Sequence, residues 1–131
     1  MKTITVDELR MACIEQANTN LKVVFKCPMC GCLQMGQDFI DAGAATSSDQ
    51  AMDYAGFSCL GRFTKAGEPR KNPDGKRCNW TLGGLFQFHK LEVVTPDGQS
   101  HPHFELATKA DADVYRATQA AKQWPTHDPA I

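Results

Sequence analysis

Two cysteines three positions apart constrain a chain more than any hydrophobic period does, because their sulfurs must converge on something. In the run KCPMCGC, residues 26–32, three cysteines fall within six positions of a 131-residue chain. Cys27-Pro28-Met29-Cys30-Gly31 has the form of a zinc knuckle. Pro28 presets a tight turn, the two thiolates can grip one ion, and Gly31 lets backbone amides approach the second sulfur. The β-rich run LKVVFK (21–26) delivers the chain to that turn, as a strand does at the start of a zinc ribbon.

A knuckle supplies two ligands, and a structural zinc takes four. Cys59 and Cys78 are the candidates for the other half. Between Cys30 and Cys59 lie 28 residues, and between Cys59 and Cys78 lie 18. A regular ribbon closes with a second C-x-x-C, which this chain lacks. Both cysteines nevertheless adjoin runs that alternate like strands, GFSCLGRF (56–63) and CNWTL (78–82), and the segment between is rich in turn residues. The expected ligand set for one structural Zn2+ is therefore Cys27, Cys30, Cys59 and Cys78, though four thiolates accept iron as well. Cys32 is the rival ligand, since C-x-x-C-x-C offers three sulfurs together. Cys13 reads instead as a small hydrophobe on a helical stripe with Val6 and Leu9.

Other chemistries compete for the same cysteines. The N-terminal run MKTITVDELRMACIEQ carries acids early and no apolar core, so it does not read as a signal peptide, and no run of about 18 apolar residues follows. A reducing cytoplasm is the expected compartment, which disfavours a disulfide framework. A thioredoxin-like redox pair would sit at a helix start, whereas Gly31 and Gly36 bracket the place where that helix would begin. His89, His101, His103 and His127 read as surface or strand histidines, with His101 and His103 on one strand face. The His-x-Glu spacing His103-Phe104-Glu105 has no P-C-x-x-C after it, which rules out the zinc-deaminase pattern. No catalytic residue emerges, and the chain reads as a non-enzyme.

Around the cysteines the patterning predicts α+β architecture: a small antiparallel sheet of about four or five strands with a zinc-ribbon-like element, flanked by an N-terminal and a C-terminal helix. Thr5 and Glu8 form a capping box for the first helix. Short helices are expected before Gly43 and from the Ser47-Ser48-Asp49 stretch. Pro96-Asp97-Gly98 marks the turn of a hairpin over residues 85–106. Thr108 caps an Ala-rich helix that Pro125 stops. One zinc-binding domain, residues 1–124, and a loose tail, 125–131, account for the chain.

Residues 62–77, RFTKAGEPRKNPDGKR, carry Arg62, Lys65, Arg70, Lys71, Lys76 and Arg77 against Glu68 and Asp74. That is a local +4 in a chain of net charge −1, so the remainder carries −5. If the chain closes at Cys59 and Cys78, this excursion projects from the metal as a basic finger. It is either a solvated loop or a contact for a macromolecular partner, including a phosphate backbone. Phe63 and Trp80 at its base read as core.

At GFSCLGRFT (56–64) and CNWTLGGLFQFHKLEV (78–93) the chain resembles a family of small cysteine-containing bacteriophage and prophage proteins with the CPxCG motif. The likeness runs from about Val23 to about Glu105 and carries no catalytic motif or established activity. It implies a phage accessory protein in the cytoplasm of a bacterial host, acting by binding a host macromolecule, a protein before a nucleic acid. Inhibitors of bacterial defence systems, anti-CRISPR proteins among them, belong to that class. The competing expectations are a nucleic-acid-binding zinc ribbon that uses the 62–77 loop and, behind it, a cysteine-based redox protein.

Overall fold

Thr5 both ends a strand and caps a helix. The computed structural model describes residues 2–69, 75–82 and 89–126, the last five by backbone alone. In it the Thr5 hydroxyl accepts from the Glu8 amide at 3.2 Å, and the Glu8 carboxylate accepts from the Thr5 amide at 3.0 Å. This is the capping box read from the sequence, and it opens α1, Val6–Gln16, directly after β1, Lys2–Thr5. There follow β2 (Val24–Lys26), β3 (Leu33–Met35), α2 (Gly36–Asp41), α3 (Ser48–Ala55), β4 (Leu91–Val94), β5 (Ser100–His103), β6 (Glu105–Leu106) and α4 (Lys109–Thr126). The architecture is α+β, with a helix near each end, as the patterning predicts.

The strands form two small sheets where one was expected. In the first, β4 lies between β1 and β5; in the second, β2 lies between β3 and β6. The second is antiparallel, but β1 runs parallel to β4, Lys2 opposite Leu91 and Thr5 opposite Val94. The four-residue β1 escapes a sequence reading because no turn residue separates it from α1. The expected hairpin is present as β4–β5. Its turn is closed by the Thr95 amide on the Gln99 carbonyl at 2.9 Å, by the Asp97 carboxylate on the Gln99 amide, and by Gly98 at φ +84°. Its first residues, 85–88, lie outside the described residues, as does the tail from 127 with His127.

Two expected strands are corrected. Over residues 56–63 the chain makes a single bridge, Ser58 with Thr81, and then turns through a 3-10 segment, Leu60–Phe63. Residues 78–82 share that bridge and extend no further. Bringing the two sulfurs into the cluster takes a turn directly after Cys59 and leaves Cys78 on irregular chain, and this overrides the alternation. At the other end, the Thr108 hydroxyl caps α4 through the Asp111 amide at 3.1 Å. The helix runs one residue beyond Pro125, past the expected stop: the fixed φ of proline is itself helical, and what the ring removes is the N–H that would bond back along the helix.

The core gathers Phe39, Phe104, Leu82 and Val23 around Cys27, Cys59 and Cys78, all under 2% exposed. Buried Gln16 ties α1 to it: its amide nitrogen donates to the Val24 and Ala107 carbonyls at 2.8 Å, and its oxygen accepts from the Val24 amide. Among the described residues no helix is long and apolar enough to cross a membrane.

Candidate metal centre

The hairpin β2–β3 carries the first knuckle at its tip. The Cys27 amide donates to the Cys32 carbonyl at 3.1 Å, and the Gly31 amide donates to the Cys27 carbonyl at 3.0 Å. Gly31 makes this turn at φ +74°, which a side chain would resist. The turn aims amides at sulfur: the Cys30 N–H at Cys27 and the Cys32 N–H at Cys30. The second half repeats this economy without a second C-x-x-C. The Arg62 amide donates to the Cys59 carbonyl at 3.0 Å, the Gly61 N–H points at the Cys59 sulfur, and the Trp80 N–H at that of Cys78. The Cys59 amide reaches the Trp80 carbonyl at 2.9 Å, so the two ends of the excursion are tied together.

All four sulfurs lie within 4.8 Å of one another, with Cys27–Cys78 at 3.8 Å and Cys30–Cys59 at 3.7 Å. A tetrahedral ion with metal–sulfur bonds of about 2.3 Å requires sulfur–sulfur edges of about 3.8 Å. The spacing thus fits a metal ion, and one donor amide per sulfur suits the thiolate form. As bare thiols the group would share protons: a hydrogen bond from Cys27 lowers Cys30, and another from Cys27 brings Cys59 down to about 7. Cys27 is raised in turn by its hydrogen bond to Cys30. A bound cation would replace those protons. Cys32 stays outside the cluster of four, half-buried, its thiol pushed up to about 11 by burial and then by the charge at Cys30. Cys13 packs against the core, as expected of a small hydrophobe.

Gln34 holds the two halves in register. It is fully buried on β3, donates to the Ala55 and Ser58 carbonyls at 2.8 Å, and accepts from the Leu60 amide at 2.8 Å. The segment that carries Cys59 is therefore clamped to the strand that follows Cys32. A polar residue between Leu33 and Met35 was the only sequence signal for this role, and alternation reads it as solvent-facing.

The basic residues divide. Arg62, Lys65 and Lys76 are exposed, while Arg70 and Lys71 lie outside the described residues. Arg77 is corrected: it turns inward, donating to the Leu33 carbonyl at 2.8 Å and to the Tyr115 hydroxyl at 3.0 Å. Tyr115 in turn donates to Asp38, which also accepts from the Met35 amide. Phe63 meets Tyr54 and Phe39 with ring centres 4.8 and 5.7 Å away, but it stays exposed at the edge of the core, which corrects its core reading. Of the histidines, His101 and His103 do share a face of β5, but His89 is a correction. Its side chain is 7% exposed and sits 2.9 Å from Glu92.

No curated protein and no solved structure matches the chain. A family model described as VVA0879-like matches residues 5–107. That span opens at the cap of α1, includes all four clustered cysteines and closes just after β6, and the chain belongs to the VVA0879-like family.

Proposed function

We propose that the four cysteines hold one structural zinc ion, and that the protein is a non-enzymatic phage or prophage accessory protein that works by binding a host macromolecule. The observation that carries this reading is the closed set of four buried sulfurs at tetrahedral spacing. Four protein ligands leave no position for water or substrate, so an ion held there fixes geometry and activates nothing. Zinc suits such a site because it brings no redox chemistry of its own.

What the ion fixes is the base of the basic excursion. Gly61 packs against Ala66, Arg77 and the Cys78 carbonyl, and Arg62, Lys65 and Lys76 each neighbour one of those four in sequence. Three exposed cations therefore leave one rigid junction beside the metal. A protein partner with an acidic face is the leading target; inhibition of a bacterial defence system, as by anti-CRISPR proteins, is a role of this kind. The same junction supports a second reading, contact with a nucleic-acid backbone.

Elemental analysis of the purified protein tests the metal. One zinc per chain is expected, retained in Cys32→Ser and lost in Cys27→Ser, Cys30→Ser, Cys59→Ser and Cys78→Ser. Binding then separates the partners. A stoichiometric complex with one host protein that survives raised salt supports the first reading. Steeply salt-dependent DNA or RNA binding, weakened in Arg62→Gln, Lys65→Gln and Lys76→Gln, supports the second. A protein purified without metal, with a reducible Cys27–Cys30 bond, would sink the zinc centre.

A further inference from the structure

Cys32 is a fifth sulfur beside a closed centre, and the ligand next to it is the least protected of the four. Cys27, Cys59 and Cys78 are 0% exposed, whereas Cys30 is 7% exposed. Gly31 between Cys30 and Cys32 is at the surface, and nothing lies within 4 Å of where its Cβ would stand. The tip of the knuckle is thus open on one side, and that side leads to Cys30. Cys32 stands two residues from that sulfur across the Gly31 turn, and the charge at Cys30 is felt by its thiol.

From this geometry we infer that Cys30 and Cys32 form a modification site for hydroperoxides, whose oxidation closes a Cys30–Cys32 disulfide and releases the metal. The inference rests on the zinc reading above. A hydroperoxide ROOH is attacked by the Cys30 thiolate; the O–O bond breaks, Cys30 gains the hydroxyl as a sulfenic acid, and the alcohol ROH leaves after its oxygen takes a proton from solvent water. The Cys32 sulfur then attacks that of Cys30, the S–S bond forms, the S–O bond breaks, and water leaves with the Cys32 proton. One thiolate and one thiol are oxidised to the disulfide and one peroxide is reduced to alcohol and water. Cα atoms two positions apart in a bent chain fall in the range of about 4.4–6.8 Å that a disulfide spans, and Gly31 at φ +74° supplies the bend. With Cys30 withdrawn, three ligands remain, and the junction that holds the basic excursion loses its anchor.

The test treats the zinc-loaded full-length protein with hydrogen peroxide. Released zinc is followed with a chromophoric chelator, and bridges are mapped by mass spectrometry. The expected result is release in step with a Cys30–Cys32 disulfide, reversed by dithiothreitol and added zinc. In Cys32→Ser, and in Cys32→Ala as a second variant, the bridge cannot form, Cys30 proceeds to the sulfinic acid, and recovery on reduction is lost. Reversible release in both variants, or a wild-type bridge between any other pair, would overturn the inference. Zinc-loaded protein that resists peroxide also overturns it and leaves the zinc centre standing, whereas protein that never carried zinc removes both.

Discussion

At Gly61 a hydrogen stands where any other residue would put a carbon 2.3 Å from the Cys78 carbonyl oxygen, 2.8 Å from Ala66 and 2.9 Å from Arg77. Two of these obstacles belong to Cys78, one of the four clustered cysteines, and to its neighbour Arg77, and the nearest is backbone. Gly61→Ala is therefore expected to destabilise the loaded protein by about 3 kcal/mol and weaken metal retention, while Gly67→Ala, with nothing within 4 Å, stays within about 0.5 kcal/mol. Denaturant melts of the two variants decide it; equal midpoints would contradict the close packing. His103 gives a second test. Burial lowers its pKa, and its Nδ1–H donates to the Phe104 carbonyl at 2.7 Å. The unfolded imidazole therefore takes a proton first as pH falls, and stability is lost from its ordinary pKa downward. Between about pH 7.5 and about pH 5.5 the wild-type urea midpoint should drop further than that of His103→Gln. The cysteines were legible one by one because thiol chemistry is local. Gly61 and Gln34 were not, because a tight backbone approach and a buried amide leave no spacing in the sequence.

Among elements, α4 is joined to the β2–β3 hairpin through one chain of polar contacts. Tyr115 on α4 donates to Asp38 on α2 and accepts from Arg77, which also donates to the Leu33 carbonyl on β3. Burial holds the Tyr115 phenol above its usual range, so it stays a donor throughout. Tyr115→Phe removes both contacts and leaves half a guanidinium buried; a loss of about 1–3 kcal/mol in a thermal melt of the zinc-loaded protein is expected. An unchanged melt would mean that the network merely decorates α4. Helices were well foretold here, since Thr5, Ser47 and Thr108 each cap the element their position predicts. Strands were not. The runs at 56–63 and 78–82 alternate well, yet each gives up strand pairing beyond one bridge to bring a cysteine into the cluster, and no periodicity records that demand.

For the whole molecule, the consequence of a metal bound at the four cysteines would be cooperative. The four cysteines pack with Phe39, Leu82 and Phe104, so emptying the site would leave four thiols crowded where the core is densest. Structural zinc contributes on the order of 10 kcal/mol, comparable to the entire net stability of a domain. Adding a strong chelator should therefore abolish helical circular dichroism from every helix, α4 included, rather than that of the knuckle region alone. Persistence of the full helical signal would refute a folding role for the ion. The charge segregation read from the sequence survives at this scale in part: three of its six cations are exposed, one is spent inside, and two lie outside the described residues. The passage between the sheets has a further bearing. β5 ends at His103, β6 begins at Glu105, and one residue joins them, Phe104, fully buried with its amide on the Gly56 carbonyl at 2.9 Å. A joint one residue long has no slack, so neither sheet can open to solvent while the other stays closed. Amide protons of β2 and of β4 should accordingly exchange with deuterium at a common slow rate, set by one global opening rather than two local ones.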